Sequence, residues 1–313
     1  MRKTELNLTI LKIQSEIQDI RNDVAPNEEL NFETRAEAID HLNFCIIDRI
    51  ELLKEKHGRK KELLILKENA SKLKNALEAI DNNLFAHIRG KIQTAEYVRQ
   101  SLKYEIEKYI NPSSKNIADS GMCGYDNLDI FMNGILPEQN MPEQTVTRES
   151  EMVFYQKTPA RLVFELADMI GIGSDDVFID LGSGLGQVVV LIHLLTGIKA
   201  KGVEFEPSYC SYAMECSSKL NLHDIKFINA DARSIDYSEM TLFYLYDPFK
   251  GALLMDILKV LKQESQKRKI KIYSYGDCSF LLAQEDWLKC SQPKVDDVYK
   301  LYEFVSLETS DAT

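Results

Sequence analysis

The 313-residue sequence predicts two architectures in one chain: a doubly wound α/β sheet in the second half and an all-α region ahead of it. Three observations carry this prediction. Residues 177–197 read as strand, glycine turn and helix. Acids close four successive apolar runs between Asp180 and Asp247. Apolar residues also recur at alternating spacings of three and four through the first 110 residues.

The helical part is predicted over residues 1–110. Leu6, Ile10, Ile13, Ile17 and Ile20 form one stripe, and Leu63, Leu66, Ala70, Leu73, Leu77, Ile80 and Leu84 form a second of three heptads. After a phase shift, Ile88, Ile92, Ala95, Leu102, Ile106 and Tyr109 extend it. Pro26-Asn27 and Gly58 mark breaks between helices, and Asp81-Asn82-Asn83 marks a third. Such stripes suit an antiparallel bundle that buries its own faces. A second reading, compatible with the first, is a coiled-coil arm through which two copies form a homodimer or a partner docks.

Residues 111–150 lose periodicity. Polar, proline-containing stretches bracket one apolar patch, Tyr125–Leu136, and so long an irregular segment suits a linker and lid. Tyr125 and Phe131 are candidates for the lid, or for the hinge that packs the helical part on the sheet.

The α/β domain is predicted over residues 151–313. Val177–Leu181 is apolar apart from Asp180 and reads as a buried strand. Gly182, Gly184 and Gly186 free the chain to turn tightly and approach a ligand, and Gln187 opens a helix that closes at Gly197. A phosphate-cradling loop would end in Gly-Lys-Ser/Thr, and a dinucleotide fingerprint would put its third glycine where Gln187 stands. The pattern Asp-x-Gly-x-Gly-x-Gly suits S-adenosylmethionine instead, which has no pyrophosphate and whose ammonium pairs with a carboxylate such as Asp180. A second strand ends at Glu204, where an acid accepts from the ribose hydroxyls, with Phe205 beside it. A third leads to Asp231, placed for the adenine amine, with Ala232 following. A fourth ends at Asp247. Acids at strand C-termini are where an open α/β sheet builds its site.

These residues carry a resemblance. From about residue 150 to 307 the chain resembles a class I, seven-strand, S-adenosylmethionine-dependent methyltransferase, and so implies a Rossmann-like, mostly parallel sheet. More narrowly, Phe154–Val190 resembles the catalytic core of the disruptor-of-telomeric-silencing family, the non-SET histone-lysine methyltransferases, and relatives that methylate lysines of other proteins. Tyr155, Thr158, Asp180 to Gln187 and Glu204 are the shared features. Carried over by position, Thr158, Asp180, Gly182, Gly184, Gln187, Glu204 and Asp231 would contact the cofactor. The chain departs from that family at Gln156-Lys157, where the histone enzymes have Gly-Glu, and at Tyr246-Asp247-Pro248-Phe249, where they carry Asn-Asn-Phe after strand four. Both departures bear on the acceptor and leave the cofactor end intact.

Methyl transfer from a sulfonium is an in-line displacement, so an enzyme mainly aligns the groups and excludes water. A lysine acceptor must lose its proton, which a dry aromatic channel favours by disfavouring the ammonium. Tyr155, Tyr244, Tyr246 and Phe249 are candidates to line one. Asp247 is the candidate to orient the nucleophile, with Pro248 expected to restrict it to extended geometry. Asp-Pro-Phe also resembles the Asp-Pro-Pro-Tyr element of enzymes that methylate planar amino groups. Three functions follow: a protein-lysine N-methyltransferase, which leads; a methyltransferase of a nucleic-acid base, amide or small amine; and a non-catalytic cofactor-binding scaffold.

Composition sets the outer bounds. The first 120 residues balance 20 basic against 20 acidic residues, so the whole net charge of −11 lies in residues 121–313. An acidic catalytic half repels phosphate backbones and favours a basic protein substrate over nucleic acid. No apolar run reaches membrane-spanning length. Six scattered cysteines without a Cys-x-x-Cys pair predict no metal site and reduced thiols in the cytoplasm.

Overall fold

The structure is a computed structural model that describes residues 3–58, 61–97, 101–110, 124–137, 140–171 and 175–307. The expectations for residues 111–123 lie outside the described residues. The chain divides into two compact units, Met1–Gly90 with Glu105–Asn111, and Lys91–Tyr104 with Pro112–Thr313. The helical stretch expected over 1–110 is thus shared between them.

The first unit is helical. Helix α1 (Lys3–Asn22) is followed by a turn at Ala25–Asn27, and α2 (Phe32–Asp40) runs through a π-helical turn (His41–Ile47) into α3 (Asp48–His57). Helix α4 (Lys61–Gln93) follows, and α5 (Ser101–Ile106) comes after it. The apolar stripes meet in one core, where Leu6, Ile10, Ile13 and Ile17 pack with Leu42, Ile46, Ile50, Leu63, Leu66, Ala70 and Leu77. The stripes are therefore consumed in a bundle within one chain. Gly58 ends α3 with φ of 79°, where the missing Cβ avoids a steric penalty. The break expected at Asp81-Asn82-Asn83 does not occur, because α4 runs straight through it. Asp81 is buried and accepts a 2.6 Å bond from the fully buried Arg35, so its side chain serves a tertiary ion pair instead of a local turn. Burial pushes the Asp81 carboxyl up, and Arg35 opposes that shift.

The second unit holds α6 (Asn127–Ile135) and α7 (Ala160–Ile170), then β1 (Val177–Leu181), α8 (Gln187–Thr196), β2 (Lys199–Glu204), α9 (Pro207–Lys219) and β3 (Ile225–Asn229). It continues with β4 (Leu242–Tyr246), α10 (Gly251–Ser265), β5 (Lys271–Tyr275), α11 (Cys278–Leu282), β6 (Leu288–Cys290) and β7 (Tyr302–Ser306). The seven strands are ordered β3-β2-β1-β4-β5-β7-β6. Strands β1 to β5 are parallel and β7 runs antiparallel between β5 and β6. The chain builds outward from β1 to β3 and then returns to add β4 on the other side. That reversal opens a crevice at the C-terminal ends of β1 and β4. Phe131, expected in a lid or a hinge, is fully buried with Leu128 and Met132 on α6. Among the described residues no helix is long and apolar enough to cross a membrane.

Candidate active site

Strand β1 delivers Asp180 into the crevice, in register with Gly202 of β2 and Tyr244 of β4. The side chain is 5% exposed, and among the described residues nothing donates a hydrogen bond to it. Burial, with the Glu204 charge adding to it, pushes its carboxyl up to about 8. The chain then turns sharply. Gly182 and Ser183 N–H groups both donate to Val203 O at 2.9 Å, which folds the loop onto the end of β2.

Each loop glycine has its own steric reason. Gly182, Gly184 and Gly186 adopt φ of 83°, 51° and 79°. A Cβ on Gly184 would lie 2.4 Å from Cδ2 and Cε2 of the Tyr155 ring, and one on Gly182 would lie 2.8 Å from Pro248 Cβ. Gly186, expected to bind cofactor, does not line the cavity. A Cβ there would meet Ala213 and a Phe227 ring atom at 2.6 Å, so its role is to let α8 pack against α9 and β3.

Glu204 closes β2 with both oxygens occupied by backbone N–H groups, from Gly184 at 2.7 Å and Glu206 at 2.8 Å. It therefore fixes the glycine loop while facing the cavity. Burial pushes its carboxyl up. Asp231 follows β3 as expected, but its carboxylate is shared with Arg233 at 2.6 Å, and that guanidinium also reaches Glu149 at 2.7 Å. The bond from Arg233 holds the Asp231 carboxyl below its usual range.

A strap over residues 143–153 spans the crevice, across the boundary expected at residue 150. At one end Thr145 donates through N–H and hydroxyl to Glu206, at 2.9 and 2.6 Å, and Val146 N–H adds a bond at 3.1 Å. At the other end Met152 bridges Phe249, and Lys250 N–H donates to Glu151 O at 2.9 Å. The Glu151 carboxylate also accepts from Leu253 N–H at 2.8 Å and caps α10. Because Glu206 follows β2 and Phe249 follows β4, the strap passes over the end of β1, which lies between them. Tyr155 comes next and packs edge-on against Tyr209, with ring centroids 5.6 Å apart.

The strand-four corner differs from expectation. Asp247 is not extended: its φ is +39°, in the left-handed region. Its carboxylate turns toward the end of β5 and accepts from Asp277 N–H at 2.8 Å and Cys278 N–H at 2.7 Å. Two tertiary bonds outweigh the local preference that proline imposes on the residue before it. Tyr246 packs on Tyr275 at 5.1 Å between centroids.

A cavity of about 260 Å³ collects these groups. It is lined by Tyr155, Thr158, Asp180, Gly182, Gly184, Gln187, Glu204, Phe205, Asp231, Ala232, Tyr246, Asp247 and Phe249, every expected site residue except Gly186. Sequence reasoning missed the strap residues Arg148, Met152 and Val153, which carry no periodic or motif signal, and Tyr209. Glu206 was missed too, although Glu-Pro after a strand is a helix-start signature that could have pointed to it. Among the described residues, the buried Ser183 hydroxyl and Gln187 amide lie in the cavity lining without a hydrogen-bond partner. These orphaned groups, the unpartnered Asp180 and the glycine cradle fit S-adenosylmethionine, whose ammonium Asp180 would hold and whose ribose Glu204 would face.

The family described as histone methylation protein DOT1 matches residues 145–243, from the strap to β4. The match stops before the Tyr246–Phe249 corner. None of the curated proteins compared with the chain matches it. Among solved structures, an RNA methyltransferase from Salinibacter ruber is 20% identical over 49% of this chain and 95% of its own, with a TM-score of 0.40. A SAM-dependent methyltransferase from Aquifex aeolicus is 16% identical over 48% of this chain and 93% of its own, at 0.37. From the family match, the strand order and the cavity together, the second unit is a class I S-adenosylmethionine-dependent methyltransferase that resembles the histone methylation protein DOT1 family over residues 145–243.

Proposed function

We propose that the chain methylates a lysine side chain of a basic protein. The observation that carries this reading is the state of the cavity's acids. Glu204, Glu206 and Asp247 are each engaged by backbone N–H groups and Asp231 by Arg233, so Asp180 alone lacks a protein partner. With their oxygens already engaged by these donors, the four carboxylates are poorly placed to take a proton from an incoming amine. The acceptor is therefore one that sheds its proton through desolvation instead of passing it to a base. A lysine ammonium, with a reference value near ~10.4, does so in a dry aromatic setting. Tyr155, Tyr246 and Phe249 supply that setting beside the glycine loop, and burial pushes the Tyr155 hydroxyl well above its usual range, so it stays neutral. When bound, S-adenosylmethionine supplies a methyl group already activated by its sulfonium. The chain's own residues hold it, orient the amine and exclude water. The family match and the acidic second half support a basic protein as substrate.

The second reading, methylation of a planar amino group, rests on Asp247-Pro248-Phe249. It requires an Asp247 carboxylate free to accept from that group. The test is tritiated S-adenosylmethionine with core histones and, separately, with a cell extract split between protease and nuclease. Label that survives nuclease and is recovered as methyl-lysine is the expected outcome. Label lost only to nuclease overturns it.

A further inference from the structure

Asp247 stands in an unusual backbone conformation, bonds the turn after β5 and precedes a proline that packs on the glycine loop. We propose that Asp247 is a positioning residue that sets the glycine loop from behind, through a relay running from Gly276 to Asp247, Pro248 and Gly182.

The geometry is continuous. At the far end, the Asp247 carboxylate clips the turn between β5 and α11 through the N–H groups of Asp277 and Cys278. That turn can approach only because residue 276 is glycine, at φ of +100°; a Cβ there would land on the Asp247 carboxylate. Gly276 does not line the cavity. In the middle, the clip holds Asp247 at φ of +39°, a conformation costly for a residue with a side chain. The strain persists because the two bonds over-determine it. At the near end, Pro248 packs against Gly182, the first glycine of the loop, and its carbonyl accepts from Val153 N–H of the strap at 3.3 Å. One corner thereby fixes two walls of the cofactor cavity. Asp247 does this through Pro248, with neither oxygen offered to an acceptor.

The relay makes a prediction that neither catalysis by Asp247 nor general stability makes: a residue outside the cavity should govern cofactor affinity, and its effect should vanish once Asp247 is altered. The experiment is calorimetric titration of the full chain with S-adenosylhomocysteine, well below the melting temperature. The inference rests on the cofactor reading above for its ligand. Gly276→Ala and Asp247→Asn should each weaken binding by about tenfold, the scale of a small misplacement in a preorganised site. The double variant should lose no more than the worse single one. Wild-type affinity in folded Gly276→Ala, or losses that multiply in the double variant, would overturn the relay. If Gly276→Ala does not fold, Asp247→Gly decides: glycine accepts the left-handed turn without strain, so it removes the clip without straining the backbone, and unchanged affinity overturns the proposal. A wild-type protein that binds no S-adenosylhomocysteine would count against the cofactor reading. The relay is then judged by amide exchange in Asp247→Gly. Faster exchange at Asp277 and Cys278, accompanied by faster exchange at Gly182 and Ser183, supports it. No change at Gly182 and Ser183 overturns it.

Discussion

Asp180→Asn should stabilise the ligand-free protein and weaken its hold on S-adenosylmethionine, and both effects follow from one ionisation. Burial places the free carboxyl at about 8, well above an unfolded aspartate near ~3.9. A raised folded value means that the associated stability is fully present below about pH 4. It is lost progressively as pH rises through about 8. At pH 7 the folded protein still carries the proton that the unfolded chain has released, over roughly three units at 1.36 kcal/mol each, or about 4 kcal/mol. Asparagine has no proton to release, so the variant recovers up to that amount at pH 7 and little at pH 4. Binding inverts the balance. An ammonium next to Asp180 requires the ionised carboxylate, which at pH 7 is only about a tenth of the free protein. Each molecule bound at pH 7 should therefore release close to one proton, and affinity should fall about tenfold from pH 7 to pH 6. Calorimetry of S-adenosylhomocysteine in buffers of differing ionisation heat reads the proton count, and chemical denaturation at pH 4 and pH 7 reads stability. Asparagine should abolish proton release and weaken binding by ten- to a hundredfold, the value of a charge-assisted bond. Binding without proton release in the parent protein, or an asparagine variant less stable at pH 7, would refute the reasoning.

Other expectations follow from single contacts. Gly184→Ala should lose cofactor binding by more than tenfold in equilibrium dialysis, because its Cβ would clash with the Tyr155 ring edge at 2.4 Å and its φ of 51° is strained for alanine. Glu204→Ala should cost about 2–3 kcal/mol of cofactor affinity by calorimetry, and it should also loosen the Gly184 amide, which the carboxylate holds at 2.7 Å, as read by hydrogen exchange. Arg35→Met should destabilise the helical unit by about 3–5 kcal/mol, since it strands the buried Asp81. Adding Asp81→Leu should restore most of that loss in urea denaturation.

Some of the site was visible because its residues lie close in sequence or repeat a rule. The apolar strand, the three glycines and the helix that starts at Gln187 form one contiguous corner, so steric and hydrophobic arguments reach it directly. Glu204 and Asp231 could be placed because parallel strands end on the same side of a sheet. Asp247 shows the limit of this approach. The following proline predicts extended geometry, but the N–H groups of Asp277 and Cys278, some thirty residues on, pull it into the left-handed region. Gly186 shows another: its spacing matches a ligand loop, while its Cβ vector points into Ala213 and Phe227.

The sequence by itself determined the class of fold, the cofactor and the acids that line the cavity, because those depend on periodicity, on glycine sterics and on charge at strand ends. Only the tertiary structure decided which of those acids remain free. The strap fastened at Glu206 and Glu151, the Arg233 bridge on Asp231 and the clip on Asp247 all join residues far apart in the chain. Hydrogen-bond geometry is satisfied in space, and nothing in local spacing records which distant N–H a carboxylate will meet. The same physics turned the stripes of α1 and α4 inward, and Asp81, within a helix that local composition would have broken, pairs with the buried Arg35 of α2, 46 residues away.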